Sequence, residues 1–216
     1  VPSDFYLDSL FFAFQFGGMF VDESGQQNLD SPETIQALEW YASIFGAGGV
    51  APNEEQMRDA YGQGMRDVGI VTQKAGMWMG SVTSLTSDLG GMIRFKVGIV
   101  PLPRGEQGFS LAQFEGLMIS AETANPQAAW RWVSFLSAQP NPWVYPARIS
   151  VAESKEFTTV FGADQAAAVR AAVENSNQIA GMDFGRNREL LFRYFSAVRA
   201  ALDGGIPPSE ALKEEN

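Results

Sequence analysis

The chain has 216 residues and contains neither cysteine nor histidine. Lack of cysteine excludes disulfides, thiol nucleophiles and thiolate metal sites, and fits either a cytoplasmic or an exported bacterial protein. With histidine also missing, a Ser-His-Asp triad, a Cys-His pair and a conventional zinc site are all excluded. No apolar run reaches the roughly 18 residues of a membrane span. No basic stretch followed by an apolar core opens the chain, so no signal peptide is read at its start. Positive charge is scarce: Lys and Arg total 15 against 25 Asp and Glu, a net charge of −10. The basic residues are scattered, and their largest cluster (Arg186, Arg188, Arg193) shares its segment with Asp183 and Glu189. Phosphate backbones are held by clustered Lys and Arg, so a nucleic-acid partner is not expected.

What is present is ordinary globular material, 45% hydrophobic and 19% charged, long enough for one large or two small domains. Leu7, Leu10, Phe11 and Phe14 recur at helical spacing after Ser3-Asp4, and Gly17-Gly18 closes that helix. "FVDESGQQNL" reads as a hairpin-like excursion turning at Gly25. In "DSPETIQALEWYASIFG", Ser31 caps, Pro32 takes the first helical position, and Ile35, Leu38, Ala42 and Phe45 form one face before Gly46. Asn53 with Gln56 three residues on has capping-box spacing.

Short strands are expected at 76–79, in "FKVGIVPLP" and in "FEGLMIS", with a helix over 82–90. Asn125-Pro126 opens a further helix with Ala129, Trp132, Val133 and Leu136 as its buried stripe. A proline-rich loop carrying Trp143 and Tyr145 follows, then an alanine-rich helix over 163–177. A long helix with Leu191, Phe195, Val198 and Leu202 inward and a short final helix complete the chain. Helices dominate and strands are few, so the class is α/β.

Chemistry narrows next. "GAGG" at 46–49 and "GQGMRDVG" at 62–69 lack the strand before and the Lys-Ser/Thr after that a phosphate loop requires. A carboxylate pair for glycoside hydrolysis stays open among 25 acids, but nothing places two across a cleft. The stronger signal is aromatic surface at segment ends: Phe5 and Tyr6 at a helix start, Trp78 at a strand end, Trp143 and Tyr145 in a loop. Aromatic faces with a few polar groups hold small hydroxyl-rich ligands; core or interface packing is the commoner reason for any single ring, and only their recurrence at segment ends favours a ligand.

"FGGMFVDESG…LDSPETIQALEWYASIF", "QKAGMWMG", "VGIVPLPRGEQG", "FEGLMISAETANPQAAWRWVSFLS", "YPARISV" and "GGIPPSEAL" occur in an order that resembles the bacterial extracellular solute-binding proteins of family 1, the maltose-binding-protein-like components of ABC importers. Two details depart from the family pattern: Gln73 stands where a glycine is usual, and the loop before Tyr145 lacks its common glycine.

The resemblance implies a periplasmic-binding-protein type II-like α/β fold, mostly the second lobe, helix-rich with a small sheet. It implies that 1–94 with 137–216 form that lobe and that 95–136 returns to a first lobe whose remainder is absent. It further implies an extracytoplasmic protein, in the periplasm or lipid-anchored at the surface, that captures a solute between two lobes and delivers it to the membrane subunits of an ABC permease. A carbohydrate is the first expectation, with no cofactor or metal. Carried over by position, the ligand-binding candidates are Phe5, Tyr6, Trp78, Gly80, Ser81, Glu115, Gly116, Trp143, Tyr145, Arg148 and Arg186. Two other readings stay open: an interaction domain of this fold without a solute, and a glycan-active enzyme. The segment 95–136, deprived of its sheet partners, is expected to drive self-association of this chain or to be poorly ordered.

Overall fold

The helices begin where side chains can satisfy the free N–H groups of a first turn. A computed structural model describes residues 5–22, 24–46, 48–62, 65–81, 89, 91–103, 116–141, 144–174 and 187–213. Helix α1 spans Phe5–Gln15 and α2 spans Pro32–Phe45. Before α2, Ser31 Oγ accepts from the Thr34 backbone N–H and lies 2.8 Å from Thr34 Oγ1. Helix α3 (Glu54–Tyr61) opens with the expected capping box: Gln56 N–H donates to Asn53 Oδ1 at 2.8 Å, and Asn53 N–H to Gln56 Oε1 at 3.0 Å. Helix α4 covers Met65–Val71, α9 Arg188–Asp203 and α10 Pro208–Ala211.

The chain divides into two units, described one at a time. The first comprises Val1–Gly80, Pro103–Leu111 and Asn177–Asn216. In it α1, α2 and α9 pack on one another, with α10 against α2 and α9. Tyr41, Tyr194, Leu38, Met57 and Val198 are fully buried there. Each apolar side chain so covered contributes about 1.5–3 kcal/mol relative to exposure. Phe12 of α1 lies 4.8 Å from Trp40 of α2, and Phe20, in the excursion after α1, meets Tyr194 of α9 at 4.5 Å between ring centroids.

The buried face of α2 is Thr34, Ala37, Leu38, Tyr41 and Phe45, with the expected Ile35 and Ala42 only half-buried on its flank. The excursion after α1 is as expected, with an antiparallel bridge between Val21 and Gln27 and Gly25 at φ 84. Gly17 and Gly18 serve different ends. Gly17 takes φ 89, which L side chains rarely adopt. At Gly18 a Cβ would lie 2.6 Å from Thr34 Oγ1 and 2.9 Å from the Ala13 carbonyl oxygen, so this glycine lets α2 approach.

The second unit comprises Ser81–Leu102 and Ala112–Ser176. It holds α5 (Pro126–Leu136), α6 (Ile149–Ala152), α7 (Lys155–Phe161) and α8 (Ala163–Glu174). A small core joins Phe157, Phe161, Ala166 and Val169, with Tyr145 against it. Helices α6 and α7 fall where the sequence reading places loop; Ser154 caps α7, accepting from the Phe157 N–H at 3.0 Å. The alanine-rich helix is described as far as Glu174.

Three expectations need correction. Asn125 precedes α5 but makes no side-chain cap bond. Trp132 is not buried: it is 60% exposed, and α5 buries no residue. The small sheet does not form among the described residues, where the Val21–Gln27 bridge is the only strand pairing. The expected helix over 82–90 lies almost wholly outside the described residues.

Candidate functional site

Within the first unit, Tyr6 lines a crevice with Phe45, Asn53, Glu54, Leu202 and Asp203. It sits in the first turn of α1 and is half-buried. That hydroxyl donates to Glu54 Oε2 at 3.3 Å, while Glu54 Oε1 pairs with Arg58 one turn along α3. Burial, and then the neighbouring Glu54 charge, raise the Tyr6 pKa, so the phenol stays a neutral donor at physiological pH. Phe5 is the first residue of α1.

Trp78 is half-buried in the irregular stretch after α4. Its neighbours divide: Met79 packs against the main core, whereas Met77 is 80% exposed. The two methionines therefore do not share one packed side, as strict strand alternation would require. Gly80 is exposed beyond them.

In the second unit Tyr145 stands edge-on to Phe157, centroids 5.5 Å apart at 86°. Arg170, from α8, lies over the same Phe157 ring at 5.4 Å. Its guanidinium donates to the Ala152 carbonyl at 2.9 and 3.1 Å and to Thr158 Oγ1 at 3.1 Å. It thereby ties α8 to the end of α6 and to α7. Burial raises the Tyr145 pKa, opposed by the smaller pull of the Arg170 charge. Arg148 is the exposed N-cap residue of α6, and its Nη2 donates to Ser137 Oγ at 3.0 Å. Ser81 is exposed, and so is Gly116, where a Cβ would meet nothing within 4 Å.

The candidates thus divide between the units, Phe5, Tyr6, Trp78 and Gly80 in the first and Ser81, Gly116, Tyr145 and Arg148 in the second. Glu115, Trp143 and Arg186 lie outside the described residues. Sequence reasoning missed Glu54 and Arg170, which orient Tyr6 and support Phe157. A lone arginine within an alanine-rich helix was the available signal for the second; the first looked like any acidic residue in a helix's first turn. Among the described residues no group of acidic side chains could hold a metal ion, and no helix is long and apolar enough to cross a membrane.

Within each unit a half-buried tyrosine stands near polar groups, Tyr6 beside Glu54 in the first and Tyr145 beside the Phe157 ring that Arg170 covers in the second. Residues 2–141 match the bacterial extracellular solute-binding protein family, and the chain belongs to that family. It is 27% identical over 171 residues to an arabinooligosaccharide-binding protein of Halalkalibacterium halodurans, covering 76% of this chain and 35% of that one.

The fold resembles that of an ABC substrate-binding protein of Listeria monocytogenes solved with cycloalternan: TM-score 0.70, 17% identity, 98% of this chain and 55% of that one. An ABC transporter solute-binding protein of Agrobacterium radiobacter solved with ribitol gives TM-score 0.60 at 20% identity, over 96% and 54%. A maltose-bound protein of T. maritima gives 0.58 at 21%, over 95% and 54%. The chain spans about a third of its curated relative's length and about half of these structures.

Proposed function

We propose that this chain is part of the solute-binding component of an ABC importer. In this reading it captures a small polyhydroxylated solute, a carbohydrate first, between two lobes and hands it to a membrane permease. The observation that supports the reading most is the uniform chemistry of the relatives: an arabinooligosaccharide-binding protein and solved structures holding cycloalternan, ribitol and maltose. Each of those ligands presents rows of hydroxyls, and the sugars among them offer ring faces that aromatic side chains cover.

In this scheme Tyr6, Trp78, Trp143 and Tyr145, with Phe5 beside the first, supply the aromatic faces. Arg148, Arg186, Glu115 and Ser81 supply hydrogen bonds, and Gly80 and Gly116 let the ligand approach the backbone. Residues 95–136 belong to the lobe opposite the one built by 1–94 and 137–216. Delivery from the periplasm or from a lipid-anchored surface form completes the role.

Titration calorimetry with arabinooligosaccharides, maltose and ribitol tests the reading on a chain of the relatives' full length that includes this sequence. Saturable heat with at least one of them is expected. No binding to any of them would overturn the sugar assignment. The exposed apolar face of α5 favours a second reading, an interaction domain of the same fold without a solute, which the same titration separates.

A further inference from the structure

Two of the candidates for the solute site, Tyr145 and Arg148, sit in the segment 145–152, whose regular structure is the single turn of α6. One helical turn does not hold itself in place, because nucleating it fixes more dihedral angles than its few bonds repay. The constraint on this segment comes from α8.

Arg170 reaches the segment at both ends. At the far end its Nη2 and Nε donate to the Ala152 carbonyl at 2.9 and 3.1 Å. Ala152 passes that constraint back along the turn, since its own N–H donates to the Arg148 carbonyl at 3.0 Å. Two hydrogen-bonded steps therefore lead from Arg170 to the backbone of Arg148.

At the near end the link is aromatic. The guanidinium carbon lies 5.4 Å from the centre of the Phe157 ring, and Tyr145 stands edge-on to that ring at 5.5 Å. Phe157 is fully buried in the small core with Phe161, Ala166 and Val169, so it is a fixed platform for both. A third bond, to Thr158 Oγ1 at 3.1 Å, holds the guanidinium to α7. The planar fork of arginine serves two acceptors and one ring at once, which a single ammonium could not.

A ligand senses the placement of the groups that touch it, and that placement depends on the side chains packed behind them. We propose that Arg170 is a positioning residue for the solute site: by holding Ala152 and Phe157 it sets where Arg148 and Tyr145 stand, without touching the solute. The inference rests on the reading above in which Tyr145 and Arg148 contact that solute.

Two measurements test it. The first is NMR of this chain with ring-labelled tyrosine, the Tyr145 signal being assigned with Tyr145→Phe. In Arg170→Ala that signal should leave its position beside the Phe157 ring, while those of Tyr6 and Tyr194 stay. The second is calorimetry with maltose, an arabinooligosaccharide and ribitol on the long form, at a temperature where each variant is folded by circular dichroism. Arg170→Ala should weaken affinity about tenfold, the loss expected for one well-placed contact. Arg170→Met keeps an unbranched stem against Phe157 but no donor; it should do the same, and it serves if Arg170→Ala does not fold. Ala168→Gly destabilises α8 through the backbone alone and should leave both the Tyr145 signal and the affinity as they are. An unmoved Tyr145 signal, unchanged affinity in the Arg170 variants, or an equal loss in Ala168→Gly overturns the assignment of Arg170. No binding by the unsubstituted long form overturns the solute reading itself, and with it any part of Arg170 in affinity.

Discussion

Gly18→Ala is the sharpest test of how the first unit closes. The new methyl carbon would sit 2.6 Å from Thr34 Oγ1, 2.9 Å from the Ala13 carbonyl oxygen and 3.3 Å from Thr34 Cα. Real side chains essentially never stand so close, and two of the three obstacles are backbone atoms. Thr34 is fully buried and its hydroxyl is engaged with Ser31, the cap of α2, so it has nowhere to turn. Relief therefore requires α2 to move off the end of α1, loosening the contacts around Leu38 and Tyr41.

Overpacking of a filled core costs about 1–3 kcal/mol, and we expect about 2 kcal/mol here. For a chain of this size that lowers Tm by roughly 4–8 °C. Urea unfolding followed by circular dichroism and by tryptophan fluorescence reads the change. Gly76→Ala, where a Cβ meets nothing within 4 Å, is the control. Removing the nearest obstacle with Thr34→Ala should make the double variant less unstable than the sum of the two singles. Equal stability of Gly18→Ala and wild type would refute the close-approach reasoning.

Tyr194 is fully buried, and burial holds its hydroxyl ionisation far above 10, opposed weakly by its bond to Ser9. Above pH 10 the unfolded chain releases this proton and the folded one keeps it. Stability should therefore fall by about 1.4 kcal/mol per pH unit from this residue alone. Urea midpoints across pH 9–12 check the slope, and Tyr194→Phe should remove that part of it. Asn53→Ala loses the side-chain acceptor of the α3 capping box and should cost about 1 kcal/mol, read as a shift in the urea midpoint. Arg170→Ala strips three donated bonds from Ala152 and Thr158 and should destabilise the second unit by about 1–3 kcal/mol. Faster exchange confined to α6–α8 would report it, and unchanged exchange would count against the clamp. Trp78→Ala in a sugar-binding full-length chain should weaken affinity with the fold retained; unchanged calorimetric affinity would remove Trp78 from the site.

The parts of this fold that were legible in sequence are those determined locally. Ser31-Pro32, Asn53 with Gln56, and Gly17-Gly18 act within a few residues of themselves, so spacing sufficed to place α1, α2 and α3. Helices α6 and α7 were hidden because "ISVA" and "KEFTTVF" are β-branched and follow three prolines; the Ser154 cap and Gly162 at φ 84 outweigh that local preference. Strand pairing and burial are relations between distant segments. The alternation in 93–99 is visible in the sequence, but its partner is not, and Trp132 reads as core only if something lies opposite it. At the candidate site the rings announced themselves by position at segment ends. The groups that orient them, Glu54 at Tyr6 and Arg170 at Phe157, come from other elements and look like ordinary surface charge in one dimension.

Sugar binding is the most direct test of the central claim. A chain extended to the relatives' length should bind an arabinooligosaccharide, maltose or another polyhydroxylated compound saturably by calorimetry. On the proposal that the solute lies between two lobes, these 216 residues alone should bind the same compound far more weakly. Saturable binding by the long form, lost on replacing Tyr6, Trp78 and Tyr145 together, is the predicted result. Absence of binding to every polyhydroxylated compound tried, in a long form that is folded by circular dichroism, would contradict it.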